Sequence, residues 1–159
     1  MALQIGSPAP DFTLKTLSEN GLEDRSLGAH RGQSAVVLLF VPGAFTGVCT
    51  EEMCDVTAGL SEYTDLGVVV YGISVDSAFA QGAWKKQAGI GFDLLSDYGR
   101  AVTQAYDVVL PDLAGLGGSA SLRAVYLIDR DGTIRYVEVT ENPGVLPKLD
   151  ALKEAIRAL

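Results

Sequence analysis

Two runs of consecutive aliphatic side chains constrain this sequence more than any other feature. Ala35-Val-Val-Leu-Leu-Phe-Val41 and Leu66-Gly-Val-Val-Val-Tyr-Gly-Ile-Ser-Val75 show no alternation of polar and apolar residues, the pattern of strands covered on both faces. Pro42-Gly43 stops the first run. Beyond the 42–45 turn the pattern becomes helical, with Leu60, Tyr63 and Leu66 on one side at spacings of three. Two buried strands joined by a helix form a parallel pair with a crossover, so the chain is read as α/β.

The remaining segments extend that unit. Residues 11–16 alternate as a half-buried strand does. Asp76 or Ser77 can cap a helix over 78–87, a short extended piece covers 92–95, and a helix covers 101–106. Residues 122–129 and 133–139 flank Arg130-Asp131-Gly132, a hairpin signal. An amphipathic helix over 145–158 places Leu146, Leu149, Leu152 and Ile156 on one face. Together these predict a central mixed β-sheet flanked by helices, and in such sheets the functional crevice lies beyond the carboxyl ends of the strands. The segment after Val41 sits there.

Composition narrows the function. The 159 residues suit one domain spanning 1–159, and 48% hydrophobic with 20% charged residues is a globular balance. Twelve Lys and Arg against twenty Asp and Glu give a net charge of −8. That argues against a nucleic-acid partner, which needs clustered positive charge, and against docking on anionic lipid. The apolar runs fall short of the roughly 20 residues of a membrane span. The opening residues lack a basic, then apolar, leader pattern, so a cytoplasmic location is expected. Two cysteines in a reducing compartment are then redox-active, metal-binding or incidental.

Pro42-Gly-Ala-Phe-Thr-Gly-Val-Cys49 places Cys49 in the first turn of a helix, where free amides and the helix dipole stabilise a thiolate. Thr46 is positioned as the N-cap with its hydroxyl facing the same pocket, and Pro42 stiffens the turn. Two readings of Cys49 stand at this point: a nucleophilic thiolate, or a small buried hydrophobe with Thr46 as a simple cap. Cys54 lies five residues on. In an intact helix that separates the two by about 140° and about 8.6 Å between α-carbons, whereas a disulfide needs less than about 7 Å. A bond between them requires the helix to unwind. Cys54 also admits the reading of a core thiol that does not react.

Other chemistries lack their parts. Two cysteines and His30, the single histidine, do not complete a structural zinc site, and His30 is expected at the surface. Gly115-Leu-Gly-Gly118 lacks the Lys-Ser/Thr of a phosphate loop, and Gly72-Ile-Ser-Val-Asp76 lacks the last glycine of a nucleophile elbow. No metal, haem or flavin is implied. The apolar stretch 108–118 reads as an interface or a flap.

The combination Pro42-x-x-x-Thr46-x-x-Cys49 resembles the active-site signature of the peroxiredoxins, thiol peroxidases on a thioredoxin-like fold. The resemblance runs from Gly6-Ser-Pro-Ala-Pro-Asp-Phe12 through Leu95-Ser-Asp97 to Arg123-x-x-x-Leu-Ile-Asp129. It implies that Cys49 attacks a hydroperoxide and becomes a sulfenic acid, that Thr46 holds the peroxide, and that Arg123 stabilises the thiolate and the leaving oxygen. It further implies that Pro42 shields the sulfur and that Glu52 orients Arg123; a solvated carboxylate is the plainer reading of Glu52, and a core or surface aromatic that of Trp84. A cysteine five residues after the first is similar to the bacterioferritin comigratory protein (PrxQ) type, which makes Cys54 the resolving cysteine and a thioredoxin-like dithiol the reductant. The Val41-to-Cys49 loop is more similar to the one-cysteine alkyl hydroperoxide reductase E type, and Gly43 stands where the PrxQ type usually has a basic residue. Relatives of both types occur as monomers and homodimers. A dithiol–disulfide oxidoreductase or a redox-sensing binding module would use the same thiolate, although the former normally spaces its cysteines two apart.

Overall fold

A computed structural model of the chain describes residues 3–140 and 142–159. Strands β1 (Thr13–Ser18) and β2 (Gly21–Ser26) form a hairpin, followed by β3 (Ala35–Phe40), helix α1 (Gly47–Ala58), the single turn α2 (Ser61–Thr64) and β4 (Val68–Ser74). Helix α3 (Ala78–Ala88), β5 (Asp93–Ser96) and the short α4 (Ala101–Ala105) come next. The small ribbon β6 (Val109–Leu110) and β7 (Ala120–Ser121) precedes β8 (Arg123–Ile128), β9 (Ile134–Thr140) and α5 (Leu149–Arg157). Seven strands make one mixed sheet in the order β2-β1-β5-β4-β3-β8-β9, in which β3, β4 and β5 run parallel and the other pairs antiparallel.

The continuous apolar run of β3 is explained by its position. Val37 and Leu39 pack with Met53, Trp84 and Leu152 beneath α1, α3 and α5, while Val36, Leu38 and Phe40 pack with Tyr71, Tyr106 and Tyr126 on the other face. All six residues of β3 are buried. A strand with polar alternation would leave one of these layers without its core.

Register then sets the site. Phe40, the last residue of β3, lies opposite Ala124 of the antiparallel β8, so Arg123 at the start of β8 stands beside the chain as it leaves β3 at Val41. The β3–α1 crossover brings its own first helical turn to the same end of the sheet.

Several expectations are revised by the structure. The first strand begins at Thr13 and its partner β2 was not foreseen, although Asn20-Gly21 is a hairpin signal and Gly21 takes φ +101° at the turn. The helical region after the 42–45 turn divides at Gly59, and Leu66 is left 49% exposed rather than in the core. The last helix starts at Leu149 rather than 145, because the residue before Pro147 is disfavoured in helical conformation; Leu146 therefore precedes the helix. His30 is half-buried, with Nε2 2.7 Å from the Tyr71 hydroxyl and a pKa lowered by burial. No helix among the described residues is long and apolar enough to cross a membrane.

Candidate active site

The site is assembled from a strained loop, a helix start and one buried arginine. Val41, Pro42 and Gly43 are buried as the chain leaves β3, after which Phe45 takes φ +64°, a left-handed conformation costing a non-glycine residue about 1–2 kcal/mol. Two hydrogen bonds offset that strain. Ala44 N–H donates to Asp76 Oδ2 at 2.8 Å, and the Thr46 hydroxyl donates to the Gly43 carbonyl at 2.9 Å. Asp76 is held in turn by the Ser74 hydroxyl at 2.7 Å. The helix-capping choice resolves to Ser77, whose hydroxyl accepts from Ala80 N–H, and this leaves Asp76 free to brace the loop.

Thr46 occupies the N-cap position of α1, but its side chain makes no capping bond. The expected cap is replaced by the bond to Gly43. Because the hydroxyl proton is used inside the loop, the Thr46 oxygen keeps lone pairs free to accept a proton from outside.

Cys49 lies in the first turn of α1 and is 1% exposed. Arg123 reaches it from β8: Nη2 donates to Cys49 Sγ at 3.3 Å and to the Pro143 carbonyl at 2.8 Å, while Nη1 donates to Glu52 Oε2 at 2.5 Å. The side chains of Arg123 and Glu52 are 1% and 0% exposed. This excludes the solvated-carboxylate reading of Glu52. Burial alone would pull the Arg123 pKa down, but Cys49 and Glu52 beside it raise it. Glu52 is pushed up to about 7, because burial outweighs the attraction of Arg123 and Glu138 adds like charge nearby.

That shift has a measurable consequence. A carboxyl that ionises near 4.5 unfolded and near 7 folded binds its proton more tightly in the native state, so its contribution to stability is lost as pH rises from about 4.5 through about 7. Urea midpoints measured across this window should fall less steeply in Glu52→Gln than in the wild type. Identical slopes would show that Glu52 does not titrate there.

Cys54 faces away from this cluster. It is half-buried, and its thiol donates to the Ala88 carbonyl at the end of α3 at 3.6 Å. Helix α1 is unbroken from Gly47 to Ala58 and both cysteines are free thiols. The structure thus bonds Arg123 to both Cys49 and Glu52 and places Pro42 and Thr46 in the loop that leads into the same helix, whereas Cys54 is bonded elsewhere. The sequence reading missed Asp76 as a brace of the loop and the Pro143 carbonyl on Arg123. It also missed Thr50, which accepts from Trp84 Nε1–H at 3.0 Å and donates to the Thr46 carbonyl at 2.7 Å. A repeated hydroxyl at 46 and 50, one helical turn apart, was the available signal for Thr50. Pro143 contributes only backbone and left none.

No group of three or more His, Cys, Asp or Glu residues suited to a metal ion occurs among the described residues. A cavity of about 850 Å³ lined by Ala35, Gly67, Asp129 and Ile156 opens at the opposite end of β3 from Cys49, and no cysteine, serine, threonine or histidine lines it.

Residues 5–137 match the AhpC/TSA family. The chain is 40% identical over 144 residues to the Synechocystis peroxiredoxin-like protein sll0755, covering 86% of this chain and 69% of that one. It is 34% identical over 159 residues to alkyl hydroperoxide reductase E of Mycobacterium tuberculosis, covering 99% and 98%. The reduced 2-Cys peroxiredoxin of Plasmodium vivax superposes with a TM-score of 0.87 at 31% identity, covering 97% of this chain and 80% of that one.

Proposed function

Since the chain belongs to the AhpC/TSA family, the peroxiredoxins, and is a thiol-dependent peroxidase, we propose that Cys49 is its peroxide-reducing nucleophile and that residues 1–159 act as one such domain. The observation that carries this reading is the buried contact of Arg123 with both Cys49 and Glu52. In the step it supports, the Cys49 thiolate attacks the terminal oxygen of R–O–OH and the O–O bond breaks. Sulfur is oxidised to the sulfenic acid, and the departing RO⁻ takes a proton and leaves as ROH, which is water when R is hydrogen.

Each neighbour has a role that follows from its bonds. The Thr46 oxygen accepts the peroxide O–H and aligns it. Arg123 Nη2, already on the sulfur, donates to the oxygen that gains charge, a contact strongest in the transition state. Glu52 and the Pro143 carbonyl fix the guanidinium plane. Pro42, buried beside the loop, keeps water from the thiolate.

We further propose that α1 then unwinds and the Cys54 thiol attacks the sulfenic sulfur, forming a disulfide and releasing water. A thioredoxin-like dithiol would reduce that disulfide. The unbroken α1 and the bond from Cys54 to Ala88 favour a second reading, in which Cys54 stays in place and an external thiol resolves Cys49. Intact mass after one equivalent of hydrogen peroxide separates them. A loss of about 2 Da in the wild type with a gain of about 16 Da in Cys54→Ser is expected for intramolecular resolution. A gain of about 16 Da in both makes the protein a one-cysteine enzyme. No change in either removes Cys49 as a peroxide-reactive thiol.

A further inference from the structure

Asp76 meets the Cys49 loop from the neighbouring strand, and the sheet register puts it there. Phe40 of β3 lies opposite Ile73 of the parallel β4, so the segment after Ser74 runs beside the segment after Val41 at the same end of the sheet. A chain of hydrogen bonds of fixed direction anchors the Asp76 carboxylate. Gln81 is 2% exposed, and its Nε2 donates to the Leu95 carbonyl at 2.8 Å and to the Ser74 hydroxyl oxygen at 2.9 Å. A carbonyl only accepts, so the end of the Gln81 amide that meets Leu95 is the NH₂ group. The Ser74 oxygen thus receives a proton from Gln81 and directs its own at Asp76 Oδ2, 2.7 Å away. The Asp76 carbonyl is fixed separately, by the Ser96 hydroxyl at 2.6 Å.

What this anchored carboxylate holds is one peptide plane. Asp76 Oδ2 accepts from Ala44 N–H, and the carbonyl of that same peptide unit, on Gly43, accepts from the Thr46 hydroxyl. The 43–44 peptide is trans, so its N–H and C=O point to opposite sides of one rigid plane. Turning the plane breaks both bonds at once. A carboxylate on the N–H also polarises the amide and makes its carbonyl the stronger acceptor. Asp76 therefore decides where the Thr46 proton points without touching Thr46. A hydroxyl whose proton is fixed has its lone pairs fixed as well.

We infer that Asp76 is a positioning residue for peroxide reduction: acting through the 43–44 peptide, it sets the Thr46 hydroxyl so that its lone pairs face the incoming peroxide O–H. The inference rests on the peroxidase reading above and extends it to a residue outside the segment from Pro42 to Cys49. Two networks then serve two tasks. Arg123, bonded to Cys49, Glu52 and Pro143, stabilises the thiolate, whereas Asp76, bonded to Ser74 and Ala44, aligns the substrate.

Stopped-flow oxidation of the reduced protein by hydrogen peroxide tests this in a double-mutant cycle with Thr46→Val. Asp76→Ala is expected to lower the second-order rate constant about 10–100-fold through misalignment. Asp76→Asn, whose amide oxygen can accept the same two protons, should keep most of the rate. In the Thr46→Val background the hydroxyl that Asp76 positions is gone, so adding Asp76→Ala should change the rate by less than about twofold. The pH midpoint of Cys49 alkylation by iodoacetamide, read in a Cys54→Ser background, should be the same with and without Asp76→Ala. Where Asp76→Ala does not fold, Ser74→Ala, which loosens the same carboxylate, is carried through the same cycle and should show a smaller loss that likewise vanishes with Thr46→Val. A rate within about twofold of the wild type in the folded variant overturns the inference. So does a loss of equal size with and without the Thr46 hydroxyl, or a shifted alkylation midpoint, either of which would make Asp76 a general support of the loop. Failure of the wild type to react with hydrogen peroxide defeats the peroxidase reading instead.

Discussion

Cys49→Ser is expected to reduce peroxide consumption in the presence of excess dithiothreitol to the rate of the buffer alone, a fall of about 10⁴-fold or more. A serine hydroxyl at position 49 would still meet Arg123 Nη2, but it is not ionised there and cannot take an oxygen atom onto itself as sulfur does. Cys54 offers no substitute: it sits on the other side of α1 with its thiol on the Ala88 carbonyl, away from Arg123 and Thr46. Stability should change little, because the replacement is smaller by only a fraction of a methyl group and its oxygen can accept the Arg123 N–H. Circular dichroism melting of the same sample checks that the variant is folded. Peroxide consumption within tenfold of the wild type would show that the reactive sulfur lies elsewhere.

The features that could be read without coordinates are those set by local chemistry. The run from Ala35 to Val41 announces a strand covered on both faces because each of its residues meets core on one side or the other. Cys49 and Thr46 are legible because helix starts have their own preferences, and Arg123 because the family pattern fixes it at the start of a strand. What local chemistry leaves open depends on neighbours distant in sequence. Glu52, which only the family resemblance places beside Arg123, looks by itself like an ordinary helix carboxylate until β8 delivers Arg123 onto it across 71 positions. The Thr46 hydroxyl had an evident local use in capping α1, and the loop's own Gly43 carbonyl won it instead.

The same distinction explains the missed boundaries. Pro147 is a local signal against helix, and the amphipathic spacing of Leu146, Leu149, Leu152 and Ile156 masked it. Residues 21–26 carry a mixture of charged and apolar side chains because β2 is an edge strand paired on one side only, to β1. Edge strands are exposed and charged for good physical reasons, so they give the weakest periodic signal. The loop at 112–118 is held by the Gly115 and Gly117 amides donating to Asp112, which no hydrophobic pattern records.

Replacing Arg123 by Met should separate what the buried charge cluster does for stability from what it does for reaction. Met fills much of the same volume but gives Glu52 no cation, and Glu52 Oε1 already lacks a hydrogen-bond partner. An unpaired buried carboxylate costs about 3–5 kcal/mol. The loss should be largest above pH 7, where Glu52 would otherwise be ionised, and smaller near pH 5, where its burial keeps it protonated. Adding Glu52→Leu to Arg123→Met removes the orphaned carboxyl and should return most of the urea midpoint, because two well-packed apolar groups can replace a buried ion pair at little cost. Reaction is a different matter. Without Arg123 no cation meets the thiolate or the departing oxygen, so the second-order rate constant with hydrogen peroxide should fall about 10²–10³-fold in the single and double variants alike. Stability recovered without rate is the signature of a guanidinium that acts on the reacting atoms. Recovery of both in the double variant would mean that Arg123 serves only to neutralise Glu52, and the proposed stabilisation of the leaving oxygen would be wrong.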